Sequence, residues 1–156
     1  MRLNKTQDSL YAILSYMWGL PKTKALAKKL YAHGLQVVHS EEGDDFNKRR
    51  ARQFCHVFPN SYDIHCSKAL ENVSERVRIG ILLHEIGHIA LQAFHDEGDD
   101  SCEVVVDSWV NETFPEADYK FAHHKYASSA GRKRTAKSIE HVSAEFADLL
   151  GKIHNG

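Results

Sequence analysis

Within residues 79–91, IGILLHEIGHIAL, every position is apolar or glycine except His84, Glu85 and His88. A helix that is apolar on all sides is a buried helix. Burying two imidazoles and a carboxylate in it is costly unless partners compensate them. His84 and His88 stand at i and i+4, so both rings leave one helix face about one turn apart. Two neutral imidazole nitrogens at that spacing can grip one tetrahedral Zn2+, each at roughly 2.0–2.1 Å. Glu85 lies about 100° around the helix from His84. It need not be a ligand, and can act as general base toward a water activated at the ion. Gly87 puts no side chain beside this site, so another segment or a substrate can come close. The bland alternative is a polar cluster satisfied by neighbouring backbone and side chains, with no metal.

A catalytic zinc needs a third protein ligand and an open position. His95 does not supply a metzincin pattern, which wants histidine at 94 and glycine at 91, where this chain has Phe94 and Leu91. Glu103 and Asp107 are four residues apart on the same face of a following helix. Glu103 can bind the metal, and Asp107 can accept the outer N–H of His84 and fix its tautomer. Asp100-x-x-Glu103 also reads as a capping box, which explains the carboxylate without metal. The spacing alone leaves both readings open.

The surrounding pattern is that of an α+β chain. Leu10, Ile13, Leu14, Met17 and Trp18 form an amphipathic helical stripe ended by Gly19. Pro21 is placed to open a second helix. That helix buries Leu26, Ala27, Leu30 and Tyr31, turns Lys22, Lys24, Lys28 and Lys29 outward, and stops at Gly34. Residues 35–39, 53–58 and 62–66 read as short strands, with a charged loop over 41–45 and the 62–66 strand at a sheet edge. Asn72 with Glu75 predicts a capping box for the central helix, whose apolar pattern runs to Phe94. After an acidic loop over 95–100, a shorter helix runs from about Ser101 to Thr113, broken by Pro115. Residues 116–133 hold no sustained period. A last stripe, Ile139, Val142, Phe146, Leu149, Leu150 and Ile153, predicts a final helix.

Composition bounds the function. The 156 residues, 42% hydrophobic and 26% charged, suit one globular domain over 1–156. A formal charge of −1 gives no global drive toward nucleic acid or an anionic membrane. No apolar run reaches the roughly 18 residues of a membrane span, and the first residues lack a secretory cleavage site. Three cysteines are too few and too odd for a disulfide scaffold and suit a reducing compartment. The expectation is a cytoplasmic protein. Cys66 and Cys102 read as small buried residues, and the cluster Arg132, Lys133, Arg134 and Lys137 as a solvated basic face.

HEIGH (84–88) followed by EVVVD (103–107) resembles the gluzincins, the thermolysin-like clan of zinc metallopeptidases. Compact relatives, the minimal gluzincins and ImmA/IrrE-type regulator proteases, are similar in spacing over comparably short chains. The run from Tyr62 into the central helix looks like the family's edge strand leading into its active-site helix, so the resemblance spans roughly residues 60–112. It implies a zincin-like fold, a small mixed sheet packed on a buried active-site helix. By residue it implies His84, His88 and Glu103 as zinc ligands, Glu85 as base and Asp107 as the carboxylate that orients a ligand. Gluzincins commonly add a downstream His or Tyr to stabilise the oxyanion, and His123, His124 and Tyr126 are the available residues. One departure is Val106, where relatives favour a small residue. The expected activity is hydrolysis of a peptide or protein substrate, with a protein partner setting specificity because little chain remains for a second substrate-binding domain. The other function class is a noncatalytic structural or interaction protein, a virion or regulatory component, that keeps the scaffold and its zinc. A structural site needs ligands but no base, so Glu85 favours the enzyme.

Overall fold

The computed structural model describes residues 1–44, 55–94 and 101–114. Their elements run α1 (Asn4–Trp18), α2 (Lys24–Ala32), β1 (Gln36–His39), α3 (Glu41–Asp44), β2 (Cys55–His56), β3 (Asp63–Cys66), a 3₁₀ turn (Lys68–Asn72), α4 (Glu75–Leu91) and α5 (Ser101–Thr113). The architecture is α+β, with a small mixed sheet. The elements expected within 45–54, 95–100 and 115–156, the final helix and the basic cluster among them, lie outside the described residues. No helix among the described residues is long and apolar enough to cross a membrane.

The sheet order is β1-β3-β2. β1 runs parallel to β3, pairing Gln36 with Asp63 through His39 with Cys66. β2 runs antiparallel, pairing Cys55 with Cys66 and His56 with His65. The strand expected at the edge over 62–66 is therefore the central one. Ile64 and Cys66 alternate into the core with no exposure, and a strand laddered on both sides offers no free edge. The outer side of β1 is partly occupied too, since the Val37 N–H donates to Gln7 Oε1 at 2.9 Å.

Helix α1 buries Leu10, Ile13, Leu14 and Met17 as its stripe predicts, while Trp18 emerges at the end. Its first turn has no side-chain cap of its own at Leu3. The Glu71 carboxylate serves instead, accepting the N–H groups of Lys5 at 3.0 Å and Thr6 at 2.7 Å. Burial raises the pKa of Glu71, but these donors outweigh it and hold the carboxyl below its ordinary value. Pro21 sits in the turn before α2 and does not open the helix. Tyr31 faces solvent, because Ala27 and Leu30 already fill the α1–α2 seam. Gly34, at φ 76°, ends α2 in the left-handed conformation that glycine adopts without strain.

Residues 41–44 form a helical turn where a loop was expected. Asp44 there accepts the Lys68 N–H at 2.7 Å and contacts His39, pinning the end of β1 to the 3₁₀ turn. Ser67 caps that turn by accepting the Ala69 N–H at 3.1 Å. Asn72 therefore closes the 3₁₀ turn, and α4 starts later, with Ser74 O taking the Arg78 N–H. Arg78 is buried where three segments meet, donating to Ser9 Oγ and to the carbonyls of Leu70 and Val73. These contacts fix the origin of α4, which packs against α1, β2 and α5.

Candidate metal centre

Ile79, Leu82, Leu83 and Ile86 on α4 have no exposure, so the helix is held from several sides, as its all-apolar pattern requires. His84, Glu85 and His88 are buried with them. The two Nε2 atoms lie 2.9 Å apart. From α5, Glu103 brings Oε2 to 2.9 Å from His84 Nε2 and Oε1 to 3.3 Å from His88 Nε2. One ligand atom from each of the three residues falls within 4.8 Å of the others, a buried group that could hold a metal ion. Donors bound at roughly 2.0–2.1 Å around a tetrahedral ion stand about 3.3 Å apart. The imidazole nitrogens are 2.9 Å apart and each faces a different Glu103 oxygen, at 2.9 and 3.3 Å, so a slight opening of the three residues admits the ion. The residues fit the ion. Glu103 turns its carboxylate to both imidazoles, as the ligand reading requires.

Two features hold these donors in place. The first is the close approach of α5 to α4 at Gly87. A Cβ there would lie 2.7 Å from Val106 Cγ1, 3.3 Å from Trp109 Cε3 and 3.4 Å from Val110 Cγ2. The segment admitted by the missing side chain is thus α5 itself, which carries Glu103. Val106, large where gluzincins favour a small residue, fills the space that Gly87 leaves. The second feature is the end of α4. Gln92 adopts φ 50°, and its N–H donates to Ile89 O while the Ala93 N–H donates to His88 O at 3.1 Å. This is a Schellman motif with glutamine in the left-handed position. The reversal carries the Ala93 carbonyl onto the His88 ring, where Nδ1–H donates to it at 2.5 Å. With its proton fixed on Nδ1, His88 presents the Nε2 lone pair to the centre.

The convergence of two imidazoles and a carboxylate creates a demand for positive charge. Burial pulls the His88 pKa down. The Glu103 hydrogen bond, the Glu85 charge and the Ala93 carbonyl outweigh it and push the pKa up to about 9. A proton and a metal cation compete for the same place.

Glu85 is buried beside this group but is not one of its three members. Its charge reaches both His88 and Cys55. Asp107 is buried on α5 one turn beyond Glu103, with Oδ1 shut off from solvent, as is His84 Nδ1. His123, His124 and Tyr126 lie outside the described residues, as do His95 and Asp100. Sequence reasoning missed the Ala93 carbonyl. The apolar pattern continues to Phe94, and glutamine gives no signal for a left-handed residue. Only the ring of Phe94, stacked with His88 at 6.4 Å, records in retrospect that the chain turns back.

Compared with family models, with curated proteins and with solved structures, the chain finds no match in any of the three.

Proposed function

We propose that the chain is a zinc-dependent metallopeptidase of gluzincin type, with a zincin-like fold. The observation that carries the reading is the division of labour in the buried polar group. His84, His88 and Glu103 converge within 4.8 Å, and Glu85, the next residue on the same helix, stays out of that convergence. A set of ligands with an adjacent buried carboxylate that is not one of them is what metal-assisted hydrolysis requires.

In this reading His84, His88 and Glu103 hold the ion, and zinc when bound supplies Lewis acidity toward the scissile carbonyl and the attacking water. Glu85 takes the proton from that water and returns it to the leaving amine. Asp107 keeps His84 in the tautomer that binds through Nε2, the part that the Ala93 carbonyl plays for His88. The substrate is a peptide or protein. Because β3 is the central strand, it offers no free edge along which an extended substrate could pair.

Glu85→Gln tests the assignment. The amide keeps the size of the side chain but accepts no proton, so zinc content and fold persist while hydrolysis of a peptide library falls by about 10²-fold or more. A variant as active as the parent rejects Glu85 as the base. A zinc-loaded parent that cleaves nothing between about pH 5 and 9 points to the noncatalytic scaffold.

A further inference from the structure

The two cysteines of the sheet take no part in the metal group, yet they face each other. Cys55 on β2 and Cys66 on β3 are directly paired across the antiparallel ladder. Their Sγ atoms are 2.7 Å apart, and both thiols are buried. That separation is well inside the roughly 3.5–4.0 Å at which even unbonded carbons rest. It lies about 0.7 Å beyond a covalent S–S bond of roughly 2.03–2.05 Å. The backbone thus already places the pair where a small side-chain rotation closes the bond. Among the described residues β2 comprises two residues at the sheet edge against α4, so the described ladder holds it only weakly.

We infer that Cys55 and Cys66 form a site of reversible oxidation that closes to a disulfide and locks β2 to β3 beside the metal centre. The oxidant is a low-molecular-weight disulfide such as glutathione disulfide. Both thiols are buried, so Cys55, on β2 at the edge of the described sheet, meets it first when that short strand opens. Its sulfur, on losing its proton, displaces one glutathione thiolate and forms a mixed disulfide. The Cys66 sulfur then displaces the second. Two S–H bonds are lost, one S–S bond forms, and the two electrons and two protons end on two glutathione thiols. Burial, the neighbouring thiol and the Glu85 charge all push the Cys55 thiol well above its ordinary value. A thiolate is disfavoured there, so oxidation is slow, whereas the product disulfide is neutral and suits the apolar surroundings.

Full-length protein carrying its metal is incubated with glutathione disulfide, unfolded in acid, alkylated and weighed. The expected result is a mass lower by two hydrogens, alkylation at Cys102 alone, and one peptide linking Cys55 to Cys66. The melting temperature rises by several degrees and returns on addition of dithiothreitol, and zinc content does not change, because the pair is outside the ligand group. Alkylation of all three cysteines after prolonged exposure overturns the proposal. So does a linkage through Cys102, a mixed disulfide that never resolves, or loss of zinc on oxidation. The Cys102→Ser variant must still show the lost hydrogens, and Cys66→Ser must not.

Discussion

Replacing Gly87 by alanine tests whether the α4–α5 approach positions the third ligand. The new Cβ would stand 2.7 Å from Val106 Cγ1, about 1 Å inside comfortable carbon contact. Val106 is fully buried and sits in a helix, where a β-branched side chain has one strongly preferred rotamer. The strain is therefore relieved by moving α5 outward by a fraction of an ångström to about 1 Å. Overpacking of this kind costs about 1–3 kcal/mol, offset by the ~1 kcal/mol that alanine gains over glycine within a helix. Folding stability should then fall only modestly. Metal affinity should fall further, because Glu103 rides on α5 one turn from Val106 and loses its place at 2.9 and 3.3 Å from the two imidazoles. A drop of about tenfold or more in zinc affinity, about 1.4 kcal/mol, is expected by competition with a chromophoric chelator. Val106→Ala in the same chain removes the clashing methyl, so the double variant should recover most of that affinity, with a coupling of about 1–2 kcal/mol. Unchanged zinc binding in Gly87→Ala, or two strictly additive effects, refutes this account of how Glu103 is placed.

Two further outcomes follow from the same geometry. In chelator-treated protein, His88 has a folded pKa of about 9 against an ordinary 6.5. Its contribution, up to about 3 kcal/mol, is complete below pH 6.5 and disappears as the pH rises through 9. Zinc must displace that proton, so zinc affinity rises over the same interval, and melting curves of metal-free and zinc-loaded protein should diverge steadily from pH 6.5 to 9. Parallel curves would show that His88 does not face the ion. At the end of α4, Gln92→Gly preserves the left-handed turn and should leave zinc affinity intact with equal or higher stability. Gln92→Val disfavours the turn, withdraws the Ala93 carbonyl and should weaken zinc binding about 10-fold or more. The same loss in both variants would place the effect in the glutamine side chain and not in the backbone.

The parts of the site that could be read in advance are those fixed by local geometry. The i, i+4 spacing places His84 and His88 on one face of any helix, and the apolar run around them demands burial. Glu103 was harder, since Asp100-x-x-Glu103 fits a cap equally well, and only the packing of α5 on Gly87 shows where its carboxylate goes. The place of β3 was misread because strand order depends on pairing between segments far apart in the chain. Nothing in residues 62–66 states that Gln36 will lie beside Asp63. Glu71 capping α1 from 65 residues beyond Thr6 in the chain is invisible for the same reason. The left-handed turn at Gln92 was missed because tertiary packing imposes on glutamine a conformation that its own preference does not signal.

The central claim is a metal ion held by two histidines of α4 and one glutamate of α5. Elemental analysis of protein purified without chelators, run beside its Glu103→Ala variant, tests it most directly. The account predicts one zinc per chain in the parent, and a variant that folds but loses its zinc on dialysis. A parent that neither contains nor takes up a transition metal, or a variant that keeps a full zinc equivalent, contradicts it.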